Sequence, residues 1–287
     1  MAIDVVAKYG LVLDGKTDNA AGLAKWAADL VATPRPRPRY VFTGGTLAYS
    51  AWPKFIMPGN TQIIADGECV LKCTGPGTGV TLSGESQATD PNDKDDAEKT
   101  WNCIFDGFTI VAANGNGLDI HSIHGSKINV IVEGTGKGKT GVYIYFSVLT
   151  DYWICVQQRD LQNGNRTGVG VVVDAEPGLP SQEASKNVFH SLNISGVDTG
   201  LVHQSGGMND YMSGAIEGCI NGFHGINGGS NHITYMDLEA NSGYDLIIEK
   251  GFHDNLFFWI NTQGKVQNNN LLGGNEFVPT WADKIGI

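Results

Sequence analysis

The sequence predicts an all-β fold, a solenoid of stacked coils with one helix near its start, and three observations carry that expectation. Ile194, Ile216, Leu238 and Ile260 are spaced by 22 residues, and Asn187, Asn209, Asn231 and His253 keep the same spacing, so two columns share one period. A glycine followed by alternating apolar residues recurs from Gly79 onward, as Gly117-Leu118-Asp119-Ile120, Gly141-Val142-Tyr143-Ile144, Gly200-Leu201 and Gly222-Phe223. Of the 287 residues 39 are glycine and only 17% are charged, against roughly 7% and 25% in ordinary domains, which means many turns and few charged helices. A 22-residue unit of short strands cannot bury its apolar face alone, so neighbouring units must stack. Apolar residues then fill the interior, and Asn187, Asn209 and Asn231 hydrogen-bond along the axis at turns. Leucine-rich repeats, the main rival at this period, would show a regular leucine pattern and a helix in every unit, and neither is visible.

Residues 17–32 read as the one convincing helix, with Thr17 or Asp18 as its cap and Ala20, Leu23, Ala24, Ala27, Leu30 and Val31 as its apolar stripe. Pro34 ends it. Such a helix is expected to cover the first coil, because an open solenoid end exposes strand edges and core. The Arg35-Pro36-Arg37-Pro38-Arg39 run should be extended, either a basic linker into a strand over Tyr40 to Phe42 or a contact for an acidic polymer. Residues 1–78 form the leading and capping segment, and 79–287 form the coils of one continuous domain of about eight or nine turns. Two stretches break the pattern and are expected to project as loops: Ser83 to Thr100, with Asp90, Asp93, Asp95, Asp96 and Glu98, and Ala175 to Lys186, with Pro177, Gly178 and Pro180.

Charge and motif content exclude several function classes. The net charge of -11 disfavours nonspecific nucleic-acid and anionic-membrane surfaces. No apolar run reaches the roughly 18 residues of a membrane span, and the N-terminus lacks the basic-then-apolar pattern of a signal peptide. Cys69, Cys73, Cys103, Cys155 and Cys219 are odd in number and contain no Cys-x-x-Cys pair, so they read as buried thiols rather than disulfides or zinc ligands. Phosphate-loop, zinc-protease and nucleophile-elbow patterns are absent from the sequence, and no metal or cofactor is expected.

Lys8-Tyr9-Gly10, followed by Asp14-Gly15-Lys16-Thr17-Asp18-Asn19 and an alanine-rich helix, resembles the N-terminal segment of the pectate-lyase-like right-handed β-helix superfamily, bacteriophage tailspikes in particular. Gly44-Gly45-Thr46, then Met57-Pro58-Gly59-Asn60 leading into Ile63 and Ile64, and Gly67 to Leu71 beyond, are similar to the same family. The resemblance is specific over residues 5–82, and from 100 to 277 it rests on the coil pattern. It implies a right-handed single-stranded parallel β-helix with an N-terminal capping helix. It also implies a homotrimer in the phage tail, facing the extracellular medium and acting on a bacterial surface polysaccharide. Other virion tail proteins would be its further partners, with neither nucleic acid nor membrane insertion.

The period also converts sequence into coordinates. If Ile216 and Leu238 point inward, Glu217 and Glu239 occupy equivalent positions on adjacent coils, about 4.8 Å apart along the axis. Asp237 shares their outer face, and the 22-residue step sets Trp259 one coil beyond it as an aromatic platform for a sugar. Carboxylates beside an aromatic are what glycoside hydrolysis requires, with a separation of about 5 Å suiting a retaining mechanism and one of about 6.5–9.5 Å an inverting one. The alternative is that Glu217 and Glu239 are solvated turn residues and Trp259 covers the end of the helix or a subunit contact. A second face comes from the 24-residue step between Gly117 and Gly141, which sets Asp119 beside Tyr143 and His121 beside Tyr145. These four could hold sugars, abstract a proton α to a uronate carboxyl, or line a trimer interface. The expected function is binding and depolymerisation of a polysaccharide, by a glycoside hydrolase ahead of a lyase. The alternative is a noncatalytic receptor-binding or decoration protein of the virion.

Overall fold

The computed structural model describes residues 2–84, 101–158, 168–270 and 273–278. The chain is a right-handed parallel β-helix, the hand that parallel crossovers adopt in nearly all proteins. A 14-stranded sheet and an 8-stranded sheet run the length of the helix, with a two-stranded third sheet at one corner. One coil illustrates the path. Lys127–Glu133 lies in the first sheet, Thr140–Ile144 in the second and Ser147–Val148 in the third, before Asp151–Gln157 returns to the first beside Lys127–Glu133. Along these strands buried and half-buried residues alternate, as in Lys127–Glu133, where Ile128, Val130 and Val132 are buried, so each strand turns one face to the core. One apolar cluster runs from Val5 to Ile260.

The glycine repeat has a packing cause. A Cβ built on Gly141 would lie 2.5 Å from the carbonyl oxygen of Gly170, one on Gly170 2.6 Å from that of Gly200, and one on Gly117 2.5 Å from that of Gly141. At this corner, where the chain enters the second sheet, successive coils approach too closely for any side chain.

The two 22-residue columns hold for three members each. Ile194, Ile216 and Leu238 are register partners in the first sheet, and Asn187, Asn209 and Asn231 form a buried ladder. Each amide oxygen accepts from both the backbone N–H and the Nδ2 of the asparagine before it, at 3.1 and 3.0 Å for Asn187 onto Asn209 and 3.0 and 3.1 Å for Asn209 onto Asn231. The fourth members differ from expectation. Leu238 pairs with Thr262 rather than Ile260, and Asn231 bonds to Asn255, not His253, with Asn275 continuing the ladder. The cause is a longer coil. Phe223 pairs with Leu246, 23 residues on, and a bulge after Gly225 makes Asn227 pair with Gly251, 24 residues on.

The start of the chain also departs from expectation in detail. Two helices form, α1 over Val5–Tyr9 and α2 over Ala20–Ala32. Asn19, rather than Thr17 or Asp18, precedes α2, and its amide bonds to the carbonyls of Val12, Thr17 and Ala48. Asp18 still accepts from the N–H of Ala20, at 3.0 Å. The buried stripe of α2 is Leu23, Trp26, Ala27 and Leu30, whereas Ala24 and Val31 face solvent. Trp26 packs edge-on against Tyr40, Phe42, Trp52 and Phe55, a contact set that a stripe drawn without the tryptophan misses.

The two motif-bearing stretches near the N-terminus, residues 8–19 and 44–46, meet in space. Gly15 donates to the carbonyl of Thr46 and Asn19 to that of Ala48. Asp14 accepts from the N–H groups of Thr17 and Lys16, which hold its carboxyl down at about 2. Of the expected loops, residues 85–100 lie outside the described residues, and Ala175–Glu176 pairs antiparallel with Leu179–Glu183 as a hairpin. Cys69, Cys73, Cys103 and Cys219 are buried thiols and Cys155 is half-buried.

Candidate functional site

The described residues build three polar patches on the outside of the solenoid, two of them at positions expected from sequence. On the first sheet Gly214–Glu217 and Met236–Glu239 lie side by side, with Glu217 opposite Glu239 and Ala215 opposite Asp237. Their neighbours Ile216 and Leu238 point inward, so alternation turns the three carboxylates outward. The next coil supplies amides to this face: Asn261 Nδ2 donates to Asp237 at 2.8 Å, and Gln263 Nε2 donates to Glu239. Trp259 is not the residue above Asp237. The 24-residue coil gives that place to Asn261 and moves Trp259 alongside Tyr235. Trp259 nevertheless borders Asp237, because Tyr235, Met236, Asp237, Trp259 and Asn261 line one shallow depression of about 490 Å³.

The second patch lies on the other sheet and three rungs earlier, so Tyr143, Tyr145, Asp119 and His121 are not brought together with Glu217, Asp237 and Glu239. Within the patch the expected pairs form. Asp119 is opposite Tyr143, and the His121 ring stacks on Tyr145 at 4.2 Å, which stacks in turn on Tyr143 at 4.1 Å. The hairpin and the residue leading into it add two carboxylates that sequence reasoning missed. Glu176 lies 3.0 Å from His121 Nδ1, and Asp174 accepts from the Tyr143 hydroxyl at 3.2 Å. Asp119 is itself held by Thr78 and Asn116. Burial, reinforced by the charges of Asp119, Asp174 and Glu176, pushes the Tyr145 phenol up to about 12, and burial with Asp174 raises Tyr143 as well. Both phenols are therefore neutral hydrogen-bonding groups near neutral pH and not bases. Any proton abstraction on this face would fall to His121 or a carboxylate.

A third patch has no counterpart in the sequence expectations. On the first sheet Asp106 takes an ammonium from Lys127 at 2.8 Å and an amide N–H from Asn129 at 2.7 Å. Trp153 is packed between Lys127, 5.3 Å from its ring centre, and His190, stacked at 4.3 Å, while His190 Nε2 meets Asp151 at 2.7 Å. Bulges created this alignment: one at Gly107 after Asp106, and one where His190 is the extra residue between Phe189 and Ser191. Bulges re-aim side chains and leave no trace in a periodic pattern. Both faces of the Trp153 ring are already covered, so this patch offers no open platform. Among the described residues no group of three or more His, Cys, Asp or Glu side chains is arranged to hold a metal ion.

No family model matches the sequence, and comparison with curated proteins gives no match. Among solved structures the chain is similar to the A-module of the mannuronan C-5 epimerase AlgE6 from Azotobacter vinelandii, at 12% identity and a TM-score of 0.49 over 96% of this chain and 99% of that one. PfbA, a surface adhesin of Streptococcus pneumoniae, aligns at 10% identity and a TM-score of 0.48 over 98% of this chain and 77% of that one. Tailspike protein 3 of bacteriophage CBA120 aligns at 11% identity and a TM-score of 0.29 over 97% of this chain and 61% of that one.

Proposed function

We propose that the protein binds a bacterial surface polysaccharide along the outside of its β-helix and depolymerises it as a glycoside hydrolase, as a homotrimeric component of a phage tail. The observation that carries the catalytic part is the register pairing of Glu217 with Glu239 on adjacent rungs, both outward. Backbones one rung apart stand about 4.8 Å from each other, which suits two carboxyl groups acting on one glycosidic bond with retention. Glu239, oriented by Gln263, is the nucleophile. Glu217, the exposed partner, protonates the leaving oxygen and then takes a proton from the attacking water. No lysine or arginine is among the described residues lining the adjoining depression. No side-chain cation is thus offered there to a uronate carboxylate, whereas the paired glutamates suit hydrolysis. The N-terminal resemblance over residues 5–82 supports the phage-tail assignment.

The experiment is incubation with a panel of bacterial surface polysaccharides, followed by assays for new reducing ends and for absorbance of unsaturated uronates. Reducing ends without that absorbance support the hydrolase, the absorbance supports a lyase, and neither product with retained binding supports a noncatalytic receptor-binding protein. One observation favours that last reading: Asp237 and Glu239 both accept amide N–H groups from the next coil, as the members of a structural ladder do. Light scattering that gave the 30.7 kDa monomer mass at micromolar concentration would reject the trimer.

A further inference from the structure

The first sheet changes character towards its C-terminal end. Ile104–Ala112, Lys127–Glu133, Asp151–Gln157 and Val188–Ser195 each run as one strand. The next three rungs are each split in two: Asp210–Tyr211 and Gly214–Glu217, His232–Thr234 and Met236–Glu239, Leu256–Phe258 and Asn261–Thr262. At the second and third breaks the hinge residue is a left-handed aromatic, Tyr235 at φ 51° and Trp259 at φ 54°. Large side chains avoid this conformation, and where it occurs the strain is held by the surrounding structure. Here it turns both rings out of the sheet, leaving Tyr235 61% and Trp259 43% exposed. The strained backbone costs stability, and a glycine would meet the turn without that strain, so the two large rings are held here at a cost that their packing on Phe258 offsets only in part.

The surroundings are those of a binding site. Phe258 braces both rings edge-on, at 5.8 Å to Tyr235 and 5.9 Å to Trp259. Tyr235, Trp259 and Met236 wall the depression of about 490 Å³ into which Asp237 and Asn261 open. Asn261 Nδ2 and Asp237 Oδ1 already bond to each other at 2.8 Å. Asp237 Oδ2 and Asn261 Oδ1 remain as two adjacent acceptors, a pair matched to the neighbouring hydroxyls of a pyranose. The geometry points to an aromatic clamp in which Tyr235 and Trp259 hold one uncharged sugar ring by its apolar face while Asp237 and Asn261 take its hydroxyls. The Asp237 charge and the lack of a cation among the described lining residues turn away uronates. This inference rests on the polysaccharide-binding part of the proposed function but not on its catalytic part.

The test uses the full chain with neutral oligosaccharides of glucose, galactose, mannose, rhamnose and N-acetylhexosamines and with matched oligouronates, titrated calorimetrically. The neutral series is expected to contain a ligand whose affinity falls about tenfold or more in Tyr235→Gly and in Trp259→Gly, and is retained within about threefold in Trp259→Phe. Both glycine variants should stay folded and melt within a few degrees of the parent, since relief of the left-handed turn offsets part of the ring packing lost on Phe258. The clamp is overturned if no neutral oligosaccharide binds, if the glycine variants bind as the parent does, if oligouronates bind through these rings, or if the loss of binding in either variant is accounted for by unfolding at the assay temperature. It is also overturned if either variant dissociates an oligomer, which would make the rings a subunit contact. Loss of binding in the variants without any cleavage by the parent sinks the hydrolase and leaves the clamp standing. Cleavage unaffected in the variants does the reverse.

Discussion

Replacing His203 by glutamine tests how the core responds to acid. His203 is fully buried beside Phe252, its Nδ1 accepting from the Tyr211 hydroxyl at 2.7 Å and its Nε2 donating to the Gly206 carbonyl at 3.0 Å. Burial lowers its pKa from 6.5 to about 4, with the Gly206 bond opposing part of that fall. Between those two values the unfolded chain binds a proton that the folded chain does not, so stability is full above pH 6.5 and is lost as the pH falls towards 4. The linkage relation gives a loss of about 2 kcal/mol from pH 7 to 5 and about 3 kcal/mol by pH 4. For a chain of this length the first step corresponds to about 3 °C in Tm. Glutamine keeps a donor and an acceptor but does not titrate. Urea midpoints of parent and His203→Gln at pH 7 and 5 should therefore differ in their pH dependence, the variant losing about 2 kcal/mol less. Equal losses in the two proteins would refute the assignment of acid sensitivity to this imidazole.

Asn209→Leu, which strands the Asn187 N–H and the Ala184 carbonyl in the core, should lower urea stability by about 3–5 kcal/mol. Gly141→Ala should cost about 2 kcal/mol or more in the same assay, because its Cβ would press on the Gly170 carbonyl. Glu217→Gln and Glu239→Gln should each reduce polysaccharide turnover by about a hundredfold or more while shifting stability by no more than about 0.5 kcal/mol. Full activity in the double variant would remove that site from consideration.

What could be read from sequence was whatever the stacking repeats. Ile216 over Leu238 and Glu217 over Glu239 follow from one number, the period, because parallel rungs in register transmit it without distortion. The Tyr143 face was legible for the same reason, through the step from Gly117 to Gly141. Asp174 and Glu176 were not, because they enter this face where the chain leaves the coil for a hairpin. The Trp153 patch depends on two bulges, each a single residue out of step. No periodic count distinguishes such a residue from a loop.

The displaced Trp259 shows what an irregularity of this kind can produce. Had the 22-residue step continued, Trp259 would stand at the register position opposite Asp237. With a 24-residue coil Asn261 takes that position and bonds to Asp237, while the tryptophan falls at the strand break beside Tyr235. The two extra residues thus place opposite Asp237 an amide that orients its carboxylate and leave an exposed ring next to it. The Glu217–Glu239 pair lies upstream of the insertion and keeps its register. Removing one residue near the bulge after Ile248 should therefore alter sugar binding at Trp259 before it alters chemistry at the two glutamates.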